Sequence, residues 1–315
     1  MNVLITGYFP EQSRKRVIAC FPADWQVHIV EPERIGSYIG EASVLIPEHI
    51  EVNDELLNQA VELKFVQTGA GFDNVDIDAC TRRGIWVSNA AGVNANAVSE
   101  HILALVLAHY KNIVYLDRFM KNGGDETQLV YTGGELSGKT IGTIGFGAIG
   151  SRVAELARAF RMNVLAYDIN RNLASVDGVQ FVELDTLVRS SDIITTNIFL
   201  NESTRGLVNR EFLKKMKKDA LLVNTARGPI VNEADLIEAL KNGEIGGACL
   251  DVFEAEPLPM GSELRSLNNA ILTPHTAGMP DGTKFHEVRY RFFLDNMMRV
   301  MRGETPMNHL NDIRL

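Results

Sequence analysis

The sequence predicts an α/β protein with two doubly wound domains, each built on a parallel sheet. Three observations support this fold class. Short apolar runs alternate with amphipathic stretches along most of the 315 residues, which is the pattern of βα units. A chain of this length ordinarily forms two domains. The apolar runs also fall into two series, which the polar and glycine-rich stretch Lys121–Gly138 separates.

The first series of apolar runs predicts the smaller domain. Its candidate strands are Val3–Thr6, Val27–Val30, Val44–Ile46, Phe65–Thr68 and Trp86–Ser88, with helical patterns at Asn53–Ala60 and Ile77–Arg83. The segment Ala97–Tyr110 then predicts a long helix. It is too apolar to lie on a surface, so we expect it to pack between domains or against a second subunit.

The second series predicts a larger domain. Its candidate strands are Thr140–Ile144, Asn163–Tyr167, Asp192–Thr196, Ala220–Asn224, Gly247–Leu250 and Ala270–Thr273. Strands in this number, with helices between them, are typical of a doubly wound nucleotide-binding domain. A last helix, roughly Gly282–Arg302, has apolar positions that predict packing back onto the first domain. We therefore predict a Rossmann domain at residues 94–278 and a flavodoxin-like domain from residues 1–93 plus 279–315, split in sequence.

The composition excludes several classes of function. The net charge is -9, from 40 acidic and 31 basic residues, which favours neither nucleic acid nor an anionic membrane as a partner. The 3 cysteines match neither a metal site nor a disulfide framework, so we expect no metal. No apolar run reaches the roughly 18 residues of a membrane span. The N-terminus has the pattern of a strand rather than a signal peptide, which predicts a cytoplasmic location.

A glycine loop connects a predicted strand to a predicted helix, Ala148–Phe160. Gly145 would permit the tight turn, Gly147 would let the backbone approach a pyrophosphate, and Gly150 would let helix and strand pack closely. The first amides of the helix, at Ala148 and Ile149, would bind the phosphates. Such glycines also occur in strand-to-helix turns that bind nothing, but the position after a strand favours a dinucleotide.

An acidic residue follows this loop at the distance that NAD-binding domains require. Asp168 ends the next strand, about 20 residues beyond the glycines, where a carboxylate accepts hydrogen bonds from the adenine-ribose hydroxyls. A carboxylate there would repel a 2′-phosphate, so we predict NAD rather than NADP. Arg171 lies nearby and would soften this preference.

Three chemically capable side chains follow successive strands of the same domain: Arg227, Glu256 and His275. Strand ends of one sheet form ligand sites, so the three side chains can converge. A histidine exchanges protons near neutral pH, a carboxylate beside it favours the imidazolium, and an arginine binds a carboxylate and an α-oxygen. Each has a structural alternative: a buried histidine, a solvated loop acid or a surface ion pair. Their coincidence favours a catalytic interpretation.

These residues belong to longer motifs that resemble the D-isomer-specific 2-hydroxyacid dehydrogenase family over nearly the whole chain. The motifs are Gly145–Gly150, Asn224-Thr-Ala-Arg227-Gly-Pro-Ile-Val-Asn-Glu-Ala-Asp-Leu, Leu250-Asp251-Val-Phe-Glu-Ala-Glu256-Pro, Thr273-Pro-His275-Thr-Ala-Gly278 and Thr68-Gly-Ala-Gly71-Phe-Asp-Asn-Val-Asp76. The resemblance implies NAD-dependent hydride transfer to or from a small D-2-hydroxy or 2-keto acid. It makes His275 the acid/base, Glu256 its partner and Arg227 the substrate-binding arginine.

The resemblance also implies several further contacts. The backbone amides of Ala70 and Gly71 would hold the substrate carboxylate, and Asp251 would contact the nicotinamide carboxamide. The side chains that would line the dinucleotide are Ile149, Ile198 and Thr225. Members of the family are typically homodimers joined through the helix near Ala97–Tyr110.

Some positions depart from the family and bear on the substrate. Phe199 stands where the family often has proline. Phosphoglycerate-oxidising members tend to have arginines at positions that appear as Pro47 and Gln67 here, and Glu48 adds a negative charge. We therefore expect 3-phosphoglycerate to be a poor substrate.

Three alternatives bear on the function. Formate dehydrogenases carry glutamine in place of Glu256 and are disfavoured. Phosphite dehydrogenases keep all three polar residues, so phosphite stays open. An NAD-sensing binding protein of corepressor type stays open as well.

Overall fold

The computed structural model describes residues 1–130, 133–170, 176–282 and 285–313. The chain forms two compact units: Met1–Asn94 together with Gly278–Leu315, and Ala95–Ala277. One unit contains a sheet of five strands and the other a sheet of seven, and all strand pairs in both sheets are parallel. The predicted fold class, two parallel-sheet α/β domains, is therefore confirmed.

The elements below lie within the described residues. The strands are β1 (Asn2–Thr6), β2 (Gln26–Val30), β3 (Val44–Ile46), β4 (Phe65–Gln67), β5 (Trp86–Ser88), β6 (Thr140–Ile144), β7 (Asn163–Tyr167), β8 (Val179–Phe181), β9 (Ile193–Thr196), β10 (Leu221–Asn224), β11 (Gly247–Leu250) and β12 (Ala270–Leu272). The α-helices are α1 (Glu11–Ile18), α2 (Asp54–Leu57), α3 (Ile77–Arg82), α4 (Ala95–Tyr110), α5 (Ile113–Lys121), α6 (Ala148–Ala159), α7 (Leu184–Ser190), α8 (Arg210–Leu213), α9 (Glu233–Lys241) and α10 (Glu287–Met301). In this part of the chain, no helix has the length and apolar character needed to cross a bilayer.

The first unit has the strand order β2-β1-β3-β4-β5. This is the flavodoxin-like order, in which the chain reverses direction across the sheet between β1 and β3. Helix α10 packs on this sheet through Tyr290, Phe293 and Met297, all fully buried with residues of β1 and β3. The predicted start of α10 at Gly282 was wrong. His286 caps the helix by accepting a hydrogen bond from the Arg289 amide, so the helix begins later.

The second unit has the strand order β12-β11-β10-β9-β6-β7-β8. The predicted strands of this unit are present, and β8 is an additional edge strand that the sequence did not reveal. Its three residues are only partly buried, so they show no apolar run. Helix α4 buries Val98, Ile102 and Val106 in the core of its own unit, which accounts for the apolar character of this segment.

A buried polar network stabilises the first unit. The Asn296 side chain, fully buried on α10, donates hydrogen bonds to the Gln67 Oε1 atom at 2.8 Å and the Ser88 Oγ atom at 3.0 Å. Its Oδ1 atom accepts the Met307 amide at 2.7 Å. The network ties α10 to β4, to β5 and to the C-terminal segment.

We predict that Asn296→Ala lowers the free energy of unfolding by about 2–3 kcal/mol, because it leaves buried donors and acceptors without partners. Urea unfolding followed by circular dichroism would measure this change. Asn58→Ala is the matched control, because Asn58 is exposed and its side chain accepts a hydrogen bond from Arg83 at the surface. Equal effects of the two substitutions would show that the network contributes nothing.

Candidate active site

A histidine–glutamate pair lies beyond the ends of β11 and β12. The Nδ1 atom of His275 is 2.7 Å from the Glu256 Oε2 atom, and the Phe253 amide donates to Oε1 at 3.1 Å. Burial opposes ionisation of Glu256, but its hydrogen bond to His275 and the charges of His275 and Arg227 outweigh this effect and lower the pKa of the carboxyl. An ionised Glu256 accepts a hydrogen bond from the Nδ1–H group, which leaves Nε2 of His275 as the nitrogen that can exchange a proton with a ligand.

The backbone around His275 depends on one buried carboxylate. Asp251, which follows β11, is fully buried. Its Oδ1 atom accepts the Thr273 hydroxyl at 2.6 Å and the Thr276 amide at 2.9 Å, and its Oδ2 atom accepts the Ala277 amide at 2.9 Å. The Asp251 carbonyl oxygen also accepts the His275 amide at 2.7 Å. These bonds hold His275 at φ 53, a left-handed conformation that only the surrounding contacts make favourable.

One member of this cluster was not predicted from the sequence. His101, on α4, has its Nε2 atom 3.1 Å from the Thr273 hydroxyl oxygen and 3.7 Å from Asp251 Oδ1. Its helix is otherwise strongly apolar, and a histidine in such a run was the signal that could have revealed it. His101 thus connects the long helix to the loop that carries His275.

The loop that carries Arg227 lies against the segment that precedes Glu256. A β-carbon built on Gly228 would lie 1.9 Å from the carbonyl carbon and oxygen of Phe253, so only glycine allows this approach. Asn224, at the end of β10, holds the loop from the other side by donating to the Arg227 carbonyl oxygen at 2.9 Å. The charge of Arg227 contributes to the low pKa of Glu256, so the three predicted polar residues belong to one electrostatic cluster.

The glycine loop after β6 shows a separate role for each glycine. Gly145 has φ 91, and a β-carbon there would lie 2.4 Å from the Asn197 carbonyl oxygen. A β-carbon on Gly150 would lie 2.1 Å from the Gly145 carbonyl oxygen, so this glycine brings helix α6 against the loop. A β-carbon built on Gly147 would have nothing within 4 Å, and this residue and Ala148 are exposed. The loop therefore has open space at the residue where α6 begins.

The carboxylate of Asp168 is fixed by the same loop. Its Oδ2 atom accepts the Phe146 amide at 2.7 Å, and its Oδ1 atom accepts the Asn170 amide at 2.8 Å. The Thr225 Oγ1 atom is buried, and among the described residues it has no hydrogen-bond partner. Ile149 and Ile198 are half-buried. Arg171, which the sequence places near Asp168, lies outside the described residues.

The first unit contributes a different feature, a loop with unused amides. After β4, the Gly69 carbonyl oxygen accepts the Ala90 amide at 2.8 Å, and the Ala70 carbonyl oxygen accepts the Asn89 side chain at 3.2 Å. Within the described residues, the amides of Ala70 and Gly71 donate to no other group. A loop with satisfied carbonyls and unsatisfied amides can bind an anion.

Comparison with known proteins identifies the family. The model of the D-isomer specific 2-hydroxyacid dehydrogenase NAD binding domain matches residues 103–277. This chain belongs to the D-isomer-specific 2-hydroxyacid dehydrogenase family. A protein named glyoxylate reductase, from Thermofilum pendens, is 40% identical over 81% of this chain and 77% of its own length. A protein named D-3-phosphoglycerate dehydrogenase, from Archaeoglobus fulgidus, is 42% identical over 75% of this chain and 45% of its own length.

A solved structure leads to the same family. D-lactate dehydrogenase from Aquifex aeolicus, in complex with NAD and lactic acid, has a TM-score of 0.82 and 27% identity, and the match covers 99% of this chain and 100% of that one. The chain is thus an NAD-dependent oxidoreductase with an NAD-binding domain, as the sequence predicted. The described histidine, cysteine, aspartate and glutamate residues form no group of three that could hold a metal ion.

Positions at which the chain departs from its family have different surroundings. Phe199, which stands where the family often has proline, is 53% exposed. Gln67 is fully buried, and its amide nitrogen donates to the carbonyl oxygens of Thr68 and Ser88. Gln67 is thus part of the polar network under α10. The other position, Pro47, is buried after β3.

We predict that Gly228→Ala lowers the free energy of unfolding by about 3 kcal/mol or more, because the new methyl group overlaps the Phe253 backbone. Thermal unfolding would measure the change. Gly261→Ala is the control, because a β-carbon there has nothing within 4 Å. If Gly228→Ala is as stable as the control, the two loops do not depend on this contact.

Proposed function

We propose that this dehydrogenase interconverts small D-2-hydroxy acids and their 2-keto acids, with His275 as the acid/base. The observation that carries the proposal is the 2.7 Å contact between His275 Nδ1 and Glu256 Oε2 beyond the strand ends of the NAD-binding domain. Glu256 accepts a hydrogen bond from Nδ1, which orients the imidazole so that Nε2 is the nitrogen that exchanges a proton with the substrate. In the direction of reduction, His275 gives its Nε2 proton to the keto oxygen; in oxidation it takes the hydroxyl proton.

The substrate is recognised by its carboxylate. In the first unit, the free amides of Ala70 and Gly71 bind the carboxylate of the substrate. Arg227 supplies a planar guanidinium, which binds the carboxylate and α-oxygen of such an acid and polarises the keto group. Both groups recognise the 2-keto acid headgroup. Other residues must therefore determine which substrate side chains are accepted.

The residues around the glycine loop fit NAD, which supplies or accepts the hydride when it is bound. The open space at Gly147 admits a pyrophosphate, and the amides of Ala148 and Ile149 lie at the positive end of α6. Asp168 binds the adenine-ribose hydroxyls and disfavours a 2′-phosphate. The buried Thr225 hydroxyl has an unmet hydrogen bond that a dinucleotide can satisfy.

Three further cofactor contacts come from the family resemblance. Ile149 and Ile198 line the dinucleotide with Thr225, and Asp251 contacts the nicotinamide carboxamide. Asp251 combines this contact with its support of the His275 loop. The homodimer through α4 and the cytoplasmic location stay predictions.

The first test is NADH oxidation at 340 nm with glyoxylate, hydroxypyruvate, pyruvate and 2-ketoisocaproate, with NADPH in parallel. We expect turnover of at least one keto acid, faster with NADH than with NADPH. Tight NADH binding without turnover of any of them would overturn the proposal. Phosphite oxidation with NAD would then identify a phosphite dehydrogenase, and its absence would favour an NAD-sensing binding protein.

We predict that His275→Ala lowers kcat for keto-acid reduction by about 100- to 10,000-fold, because the proton donor is lost. NADH affinity, measured by fluorescence titration, should change little. His28→Ala is the control, because His28 is an exposed histidine on the edge strand β2, where its ring lies at a tilt against Tyr38. Unchanged turnover in His275→Ala would remove this residue from the mechanism.

We predict that Gly147→Ala raises the dissociation constant of NADH by about 10-fold or more without lowering stability. The methyl group would occupy open space that the pyrophosphate needs, and the residue has φ -83, so alanine needs no left-handed conformation there. NADH titration and thermal unfolding would measure the two effects. Gly261→Ala again serves as the control. Normal NADH affinity in a folded Gly147→Ala variant would contradict this position for the pyrophosphate.

A further inference from the structure

A buried ion pair lies at the strand ends of the first unit. In sheets of this order, ligands bind where the chain reverses direction, which is between β1 and β3. Glu48 follows β3 at this point. Its amide donates to the Thr6 hydroxyl oxygen at 3.0 Å, and its carbonyl oxygen accepts the same hydroxyl at 2.9 Å. Thr6 ends β1, so this residue fixes the backbone of Glu48 across the reversal.

The partner of Glu48 is Arg289, on the first turn of α10. The Arg289 Nη2 atom is 2.6 Å from Glu48 Oε1, and the two side chains are only 11% and 18% exposed. The guanidinium lies over the rings of Tyr290 and Phe293, at 5.3 and 5.5 Å from their centroids. Burial opposes the charge of Arg289, but the Glu48 carboxylate more than compensates and raises the pKa of the guanidinium. Arg289 and Glu48 therefore form an ion pair whose net charge is zero.

The guanidinium has unused hydrogen-bonding capacity. Within the described residues, the buried Nε atom of Arg289 has no partner. The Nη1 atom lies toward the loop after β4, because a β-carbon built on Gly69 would be 3.6 Å from it. Gly69 immediately precedes Ala70 and Gly71, whose amides bind the substrate carboxylate in the proposed function. A cation with spare donors thus lies beside that loop, and a single carboxylate neutralises it.

We propose that Glu48 is a specificity-determining residue that neutralises Arg289 and thereby excludes 2-keto acids with a second anionic group. This inference rests on the proposed function, since it concerns the distal group of the same substrate. An acid held at Ala70 and Gly71 extends over the neighbouring strand ends. A phosphate or second carboxylate there finds no net positive charge, because Glu48 already neutralises Arg289, and it would have to displace Glu48 to pair with the guanidinium. A neutral or hydroxylated side chain meets no such opposition.

The test compares two substrates that differ only in a phosphate, phosphohydroxypyruvate and hydroxypyruvate. The measured quantity is the ratio of their kcat/KM values with NADH. In the wild type we expect this ratio to lie well below one. In Glu48→Gln, we expect it to rise by about 10-fold or more, because the unneutralised Arg289 attracts the phosphate. The gain should shrink as ionic strength rises, since salt screens the attraction.

Two controls separate the charge of this pair from other effects. Glu51→Gln removes a negative charge from the same segment, but Glu51 is exposed and has no part in the pair. The substrate ratio of this variant should match that of the wild type. The double variant Glu48→Gln with Arg289→Met should lose the gain. Because both substrates report on the same folded molecules, a loss of folded protein cancels in the ratio. Glu48→Ala is the second variant if Glu48→Gln does not fold.

The outcomes distinguish this inference from the proposed function. If the wild type reduces hydroxypyruvate but removal of the Glu48 carboxylate leaves the ratio unchanged, the pair is structural and the inference is overturned. A wild-type ratio above one, or a gain that survives in the double variant, overturns it as well. If the wild type reduces none of the keto acids, the proposed function fails, and this inference fails with it.

Discussion

The geometry of the active-site cluster depends on the buried carboxylate of Asp251. A carboxylate without water must find its hydrogen-bond donors in the protein, and here the donors are Thr273, Thr276 and Ala277. Because these residues flank His275, the need to satisfy one buried charge determines the path of the loop. That path presents His275 Nδ1 to Glu256 and leaves the imidazole 48% exposed. The exposed imidazole of His275 thus owes its position to a fully buried carboxylate.

Close backbone approaches provide the second constraint. The loops after β10 and β11 meet at Gly228, and the glycine loop meets α6 at Gly150. Neither contact leaves room for a side chain at the glycine, so close backbone approach holds these loops in addition to the hydrogen bonds of Asp251. Preorganisation of this kind suits a site in which a proton and a hydride must move in one geometry.

In the first unit, the groups available to an anion are backbone amides rather than charged side chains. Its loop at Ala70 and Gly71 offers unused amides for an anion, while the only strongly buried cation beside that loop in the described structure, Arg289, is already neutralised by Glu48. This loop thus has neutral donors for one carboxylate. It has no unneutralised positive charge beside it for a second anionic group. In the proposed function, this arrangement selects against substrates with a second anionic group.

The sequence by itself determined the fold class, the family and the identity of the polar cluster, because periodic apolar runs, the glycine loop and the long motifs are local patterns. It missed β8, whose residues are half-exposed, and the late start of α10, which the His286 cap decides. It did not reveal that Glu48 and Arg289 form an ion pair, and it marked His101 only as a histidine in an apolar helix, without its partner Thr273. Such contacts join residues that are far apart in the chain, and the packing of the helices and strands determines which residues meet. Tertiary structure alone therefore decided which charges are buried, which are neutralised and which hydrogen-bond donors are left for a ligand.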